Sequence, residues 1–196
     1  MTRAMNMTRL QKLVIAALLC AIGILIPMIM PVKITLEPMS FTLASHVPVL
    51  IAMFISPAVA LCVELGTTVG FLVAGFSPVV VLRALVQVFF VVIGAYWLQE
   101  KPDALNRWGS MILFVLATGL IHGAAEALIS TWFYFGGSID QSKGFFETII
   151  LLVGVGTLAH HIVDFVISYI IWRPVCRVIK IPTSVHFRKE QKSNES

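Results

Sequence analysis

The sequence predicts an all-α membrane protein: a compact bundle of six transmembrane helices with an irregular first external loop and both termini on the cytoplasmic side. Composition is the first reason, since 58% of the 196 residues are hydrophobic and only 12% are charged. A soluble domain carries about 25% charged residues. The mean hydropathy of +0.93 is the second reason. The third is segmentation: proline, glycine and charge interrupt the apolar chain so that it falls into stretches at about 11–30, 43–55, 58–75, 79–98, 109–134 and 146–173.

Within the first stretch the apolar run Leu13 to Met30 is long enough to span, and no small-residue cleavage site follows it. It therefore reads as a helix and not a cleaved signal. The second, LASHVPVLIAMFI, is short and contains Pro48, so it is expected to be tilted or broken. Such irregular backbone is tolerated in a membrane only where protein or a water-filled cavity covers it. The third holds ELGTTVG, in which Gly66 and Gly70 have the G-x-x-x-G spacing that lets another helix approach closely.

Arg83 and Gln87 lie one turn apart on the fourth stretch. On the fifth, His122, Glu126 and Ser130 form a polar stripe at i, i+4, i+8 that ends near Trp132 and Tyr134. The sixth carries GTLAHHIVDF, where Asp164 can accept from His160 or His161.

Orientation follows from the basic residues. Arg3, Arg9, Lys12, Lys101, Arg107, Arg173, Arg177, Lys180, Arg188, Lys189 and Lys192 fall on one side, against Lys33 and Lys143 on the other. Positive residues face the cytoplasm. The formal charge of +4 is thus a topology signal and does not point to nucleic acid. Residues 1–180 are expected to form a single six-helix membrane domain, and 181–196 a disordered cytoplasmic tail with little to bury.

Cys20, Cys62 and Cys176 have no C-x-x-C spacing, which argues against a disulfide framework or a zinc site. No G-x-x-x-x-G-K-[ST] loop occurs, so an ATP-driven step would need a partner chain.

A charge inside a membrane needs a reason, because it costs at least ~2.5–3.5 kcal/mol at a helix centre. Arg83 must be paired, with Glu64 or Glu126, or it must face an anionic ligand. The fifth-span stripe is either a wall of a cavity or a hydrogen-bonded seam between helices. His122, Glu126, His160, His161 and Asp164 together could also ligate a metal. That enzyme reading lacks the H-E-x-x-H signature of a zinc hydrolase, and the chain has no G-x-S-x-G either.

Six spans in so short a chain, Ala17 and Ala21 in LVIAALLCAIGIL, and the block SFTLASHVPVLIAMFISP followed by GTTVGFLVAGFSPVVVLRALVQ together resemble the S components of energy-coupling factor (ECF) vitamin transporters. The resemblance covers about residues 8–180, and the longer block looks like the niacin and pantothenate branches. It implies a transport subunit with no catalytic residues and no cofactor. The subunit captures a B vitamin from outside and works with a transmembrane coupling subunit and two ATPase subunits, Ala17 and Ala21 being the docking surface.

A small anion needs one cationic anchor, a few hydrogen-bond partners and an apolar wall. On that basis Arg83 is the expected carboxylate anchor, Gln87, His122, Glu126 and Ser130 the hydrogen-bond partners, and Trp132 the wall. Glu37, Ser40, Thr42 and His46 would form a lid. The number of partners on the fifth span favours pantothenate; niacin is the alternative, and a membrane metalloenzyme a more distant one.

Overall fold

A computed structural model describes residues 2–29, 33–36, 39–178 and 183–187. The chain runs α1 (Thr2–Ile29), a hairpin of β1 (Lys33–Leu36) and β2 (Met39–Thr42), then α2 (Val47–Ile55), α3 (Pro57–Val73), α4 (Pro78–Val86) and α5 (Val88–Glu100). A 3-10 turn at Ala104–Asn106 leads into α6 (Trp108–Phe135), and a π-helical stretch, Phe146–Val155, leads into α7 (Gly156–Val178). Because α4 and α5 form one span bent at Gln87, and the π-helical stretch continues into α7, the six expected segments are all present. Four of the resulting helices among the described residues are long and apolar enough to cross a membrane, and Pro57–Val73 is a shorter apolar helix. The protein is a multi-pass membrane protein.

Of the two outcomes expected for the Pro48 segment, a tilted or a broken span, the break is not found. Pro48 sits in the first turn of α2, where a missing N–H costs nothing, and it starts that helix. Nine residues rise only about 14 Å, less than half the ~30 Å of hydrocarbon, so α2 is a half-span. All nine are buried, as a short helix in a membrane must be. Ser56 then turns the chain: its backbone is extended, its Oγ accepts from the Val59 N–H at 3.3 Å, and Pro57 opens α3.

The glycines do the packing their spacing foretold. A Cβ on Gly70 would lie 2.9 Å from the Ile24 Cα, while Gly66 faces Cys20 and Gly23 faces Thr67. These pairs advance together along both helices, so α1 and α3 run parallel in close contact. Phe54, Phe90, Phe114 and Met53 fill the centre. The outward faces carry exposed apolar residues such as Leu18, Ile22, Leu120 and Ile170, which suit a lipid surface.

The expected disorder of 181–196 is corrected over Thr183–Phe187. The Ser184 N–H donates to the carbonyls of Phe54 and Ile55 at 3.0 and 3.2 Å, satisfying the end of α2. Val185 is buried and the Phe187 ring contacts Phe54 and Tyr169. The His186 N–H donates to the Pro102 carbonyl at 2.9 Å. The Ser56 turn, the loop after α5 and the segment after α7 therefore share one end of the bundle. The start of α1, parallel to α3, lies there as well.

Candidate functional site

Two intramembrane carboxylates, Glu126 and Asp164, organise the interior, and each is saturated. Glu126 Oε2 accepts from Arg83 Nε at 3.0 Å, from Arg83 Nη2 at 2.6 Å and from the Thr157 hydroxyl at 2.9 Å. Oε1 accepts from Gln87 Nε2 at 3.0 Å and faces His122 Nε2 at 3.0 Å. Side chains from α4, α6 and α7 thus meet on one carboxylate. Of the two pairings the sequence left open for Arg83, the structure selects Glu126; Glu64 is buried on α3 with the Thr68 hydroxyl donating to it at 3.4 Å.

Asp164 serves the irregular chain before α2. Its Oδ1 accepts from the Ala44 N–H at 3.0 Å, and Oδ2 from the His46 N–H at 2.9 Å and from His46 Nδ1 at 3.1 Å. A carboxylate from α7 therefore caps the start of a helix on another segment, where the dipole favours negative charge. Of the two neighbouring rings, His160 faces Asp164 at 3.3 Å. His161 turns the other way, 3.1 Å from the Thr118 hydroxyl and 3.3 Å from His122 Nδ1.

Between these carboxylates lies a polar pocket. The hairpin and the turn after it contribute Phe41, Thr42, Ser45 and His46; Phe71 and Phe76 come from the end of α3 and the turn beyond it. Arg83, Gln87, Glu126, Thr157 and His160 supply polar groups. Its free space is ≈ 40 Å³. A dry cavity that takes up benzene measures about 150 Å³, so a ring can enter only if part of the lining yields. A larger groove of ≈ 410 Å³ between α6 and α7, from Trp108 to Ile170, exposes only apolar surface and offers an anion nothing.

Several expected site residues are in this pocket: Arg83, Gln87, Glu126, Thr42 and His46. His122 stands behind Glu126, buried and outside the lining, and meets the pocket through Glu126 and the His46 ring. Ser130 is buried with its hydroxyl unbonded, away from the lining. Trp132 is corrected: it is 80% exposed on the far side of α6, and the aromatic wall comes instead from Phe41, Phe71 and Phe76. Glu37 lies outside the described residues, as does the side chain of Ser40. Thr157, His160 and Ser45 were missed as lining residues. The phenylalanines lie within the sequence block already singled out, so the motif was visible and the role was not.

His46, His122 and Glu126 on one side, and His46, His160 and Asp164 on the other, bring potential ligand atoms within 4.8 Å of one another. All four carboxylate oxygens of these groups already accept hydrogen bonds, so the arrangement is a hydrogen-bonded network and we identify none of them as a metal ligand.

A saturated ionic core under a half-helix, with a small polar pocket beneath a hairpin, defines a membrane-embedded binding protein for a small solute. The chain is 41% identical over 157 residues to the niacin transporter NiaX of Lactococcus lactis subsp. cremoris (strain MG1363), an alignment that covers 80% of this chain and 71% of the relative. It belongs to the S-component family of ECF transporters, and is a transport subunit, not an enzyme. No protein-family model matches the chain, and no solved structure matches it.

Proposed function

We propose that this chain is a nicotinate-binding S component that delivers niacin to an ECF module of one membrane coupling subunit and two ATPases. The observation that carries the reading is Arg83: a guanidinium facing a small pocket with phenylalanine walls suits a flat aromatic carboxylate. Ser45 and His160 on the same lining offer hydrogen bonds to a pyridine nitrogen. The likeness to a niacin transporter supports the same choice.

The niacin alternative is favoured over the expectation of pantothenate. That expectation rested on the number of partners along the fifth span, but the stripe is spent internally: His122 bonds Glu126 and His161, and Ser130 does not line the pocket. Free space of ≈ 40 Å³ also favours the smaller anion. The test is calorimetric titration of the purified chain with nicotinate, nicotinamide and pantothenate. Tight binding of nicotinate alone is expected, and preferential binding of pantothenate would overturn the assignment.

A further inference from the structure

The pair that looked most anomalous in the sequence, His122 and Glu126, belongs to a longer chain of buried groups whose hydrogens can be counted. Thr118, on α6, lies with Oγ1 2.7 Å from the carbonyl oxygen of Phe114. A carbonyl only accepts, so the single hydroxyl hydrogen of Thr118 is committed there. Oγ1 therefore faces His161 Nε2, 3.1 Å away, as an acceptor, and Nε2 must carry a hydrogen. Next, His161 Nδ1 faces His122 Nδ1 at 3.3 Å, and one of these two nitrogens must carry a hydrogen. Finally His122 Nε2 faces Glu126 Oε1 at 3.0 Å, and again one hydrogen is required.

Three contacts need three hydrogens. Two neutral imidazoles bring two. Since Glu126 already accepts from Arg83 Nε, Arg83 Nη2, Gln87 and Thr157, the third belongs to the rings and not to the carboxylate.

We propose that the chain Thr118, His161, His122, Glu126 stores one proton beyond two neutral imidazoles, and that this proton tunes the pocket to a monoanionic carboxylate. Arg83 and Glu126 alone sum to zero charge. An incoming carboxylate would then leave an uncompensated negative charge in a buried site, which is costly. With the stored proton, Arg83, Glu126 and the two rings carry a net positive charge, and a monoanion brings that group to neutrality, while the Asp164 carboxylate is met separately by the N–H groups of Ala44 and His46. A neutral amide gains nothing from it, and a dianion overshoots.

The other titratable groups facing this chain are engaged elsewhere. The His46 ring, 4.9 Å from that of His122, bonds Asp164. His160 bonds Ser45 at 3.2 Å and faces Asp164, while Glu64 on α3 bonds Thr68. Thr118, His161 and His122 act on the ligand through Glu126 and Arg83, as positioning residues. The ligand arm rests on the nicotinate reading; the hydrogen count does not.

Two measurements on the purified full chain test this. Nitrogen NMR of the histidine-labelled, ligand-free protein near neutral pH should show three protonated nitrogens over the His122 and His161 rings. Two would overturn the proposal. Calorimetry of nicotinate in buffers of different ionisation enthalpy should then show no proton uptake near neutral pH. Once the stored proton is lost at higher pH, affinity should fall tenfold per pH unit with uptake of one proton per ligand.

Thr118→Val removes the first contact and with it the need for the third hydrogen. Nicotinate should bind about tenfold more weakly, or worse, with a proton taken up already at neutral pH, while Thr118→Ser restores wild-type behaviour. A wild-type pH profile in Thr118→Val would overturn the proposal. If nicotinate binds at no pH, the nicotinate reading fails and the NMR count still decides the stored proton.

Discussion

Asp164 takes both the backbone N–H and the ring Nδ1 of His46, at 2.9 and 3.1 Å, and so ties the last helix to the start of the half-span α2. Removing that carboxylate takes the acceptor from the buried N–H of His46 and from the part-buried N–H of Ala44. Asp164→Ala is expected to cost about 3–5 kcal/mol and Asp164→Asn less, since an amide retains one acceptor oxygen. Thermal unfolding of the purified variants gives the order. Trypsin cleavage after Lys33, in the hairpin that the tie anchors, should quicken in the same order; unchanged cleavage in Asp164→Ala would show that the hairpin is held by something else.

Arg83→Ala should abolish nicotinate binding and also lower stability, because it strips the nearest cation from a buried carboxylate. The double variant Arg83→Ala, Glu126→Gln should recover much of the lost stability and none of the binding. Melting temperature and calorimetry together separate the two effects, and a double variant as unstable as the single would refute the pairing as the source of the cost.

Gly70 leaves no room for a side chain, its added Cβ falling 2.9 Å from the Ile24 Cα. Gly70→Ala should destabilise the protein by roughly 1–3 kcal/mol through the contact of α1 with α3, with little change in nicotinate affinity at temperatures where it stays folded. Gly109, with open space around an added Cβ, is the control: Gly109→Ala should lose nothing, since alanine favours a helix over glycine, and an equal loss at both positions would refute the contact with α1 as the cause.

Ala17 and Ala21 both lie exposed on α1. If that face docks on the coupling subunit, replacing both by tryptophan should leave nicotinate binding by the isolated chain intact and stop uptake in cells carrying the module. Persistent uptake would remove α1 from the contact.

Segmentation was legible because apolar length and charge decide what can cross a bilayer, and each expected stretch is found within a few residues. The Gly66 and Gly70 spacing was legible for a similar reason: close approach needs missing side chains. What escaped was direction. Trp132 is two residues past Ser130, which on a helix turns it away from the stripe, yet its proximity to the expected mouth was given more weight than its angle. Pro48 left a tilted and a broken span both open because a proline inside an apolar run has two meanings, and only the position of the helix start separates them. Arg83 and Glu126 stood out as intramembrane charges, but their geometry came from α4, α6 and α7 meeting, which no local pattern encodes. Residues 183–187 were missed since two apolar side chains in a polar tail become meaningful only when orphaned carbonyls wait at the end of α2.

The hydrogen bond from Ala44 to Asp164 joins positions 120 apart, most of the length of the chain. A ribosome has therefore made nearly the whole protein before the segment ahead of α2 acquires its acceptor. Until then the half-span is too short to settle across a bilayer by itself. The polar pocket is one of the last parts to form, since a chain lacking α7 lacks the Thr157 and His160 of its lining. Contacts so distant in sequence make closure of the pocket a slow step of folding.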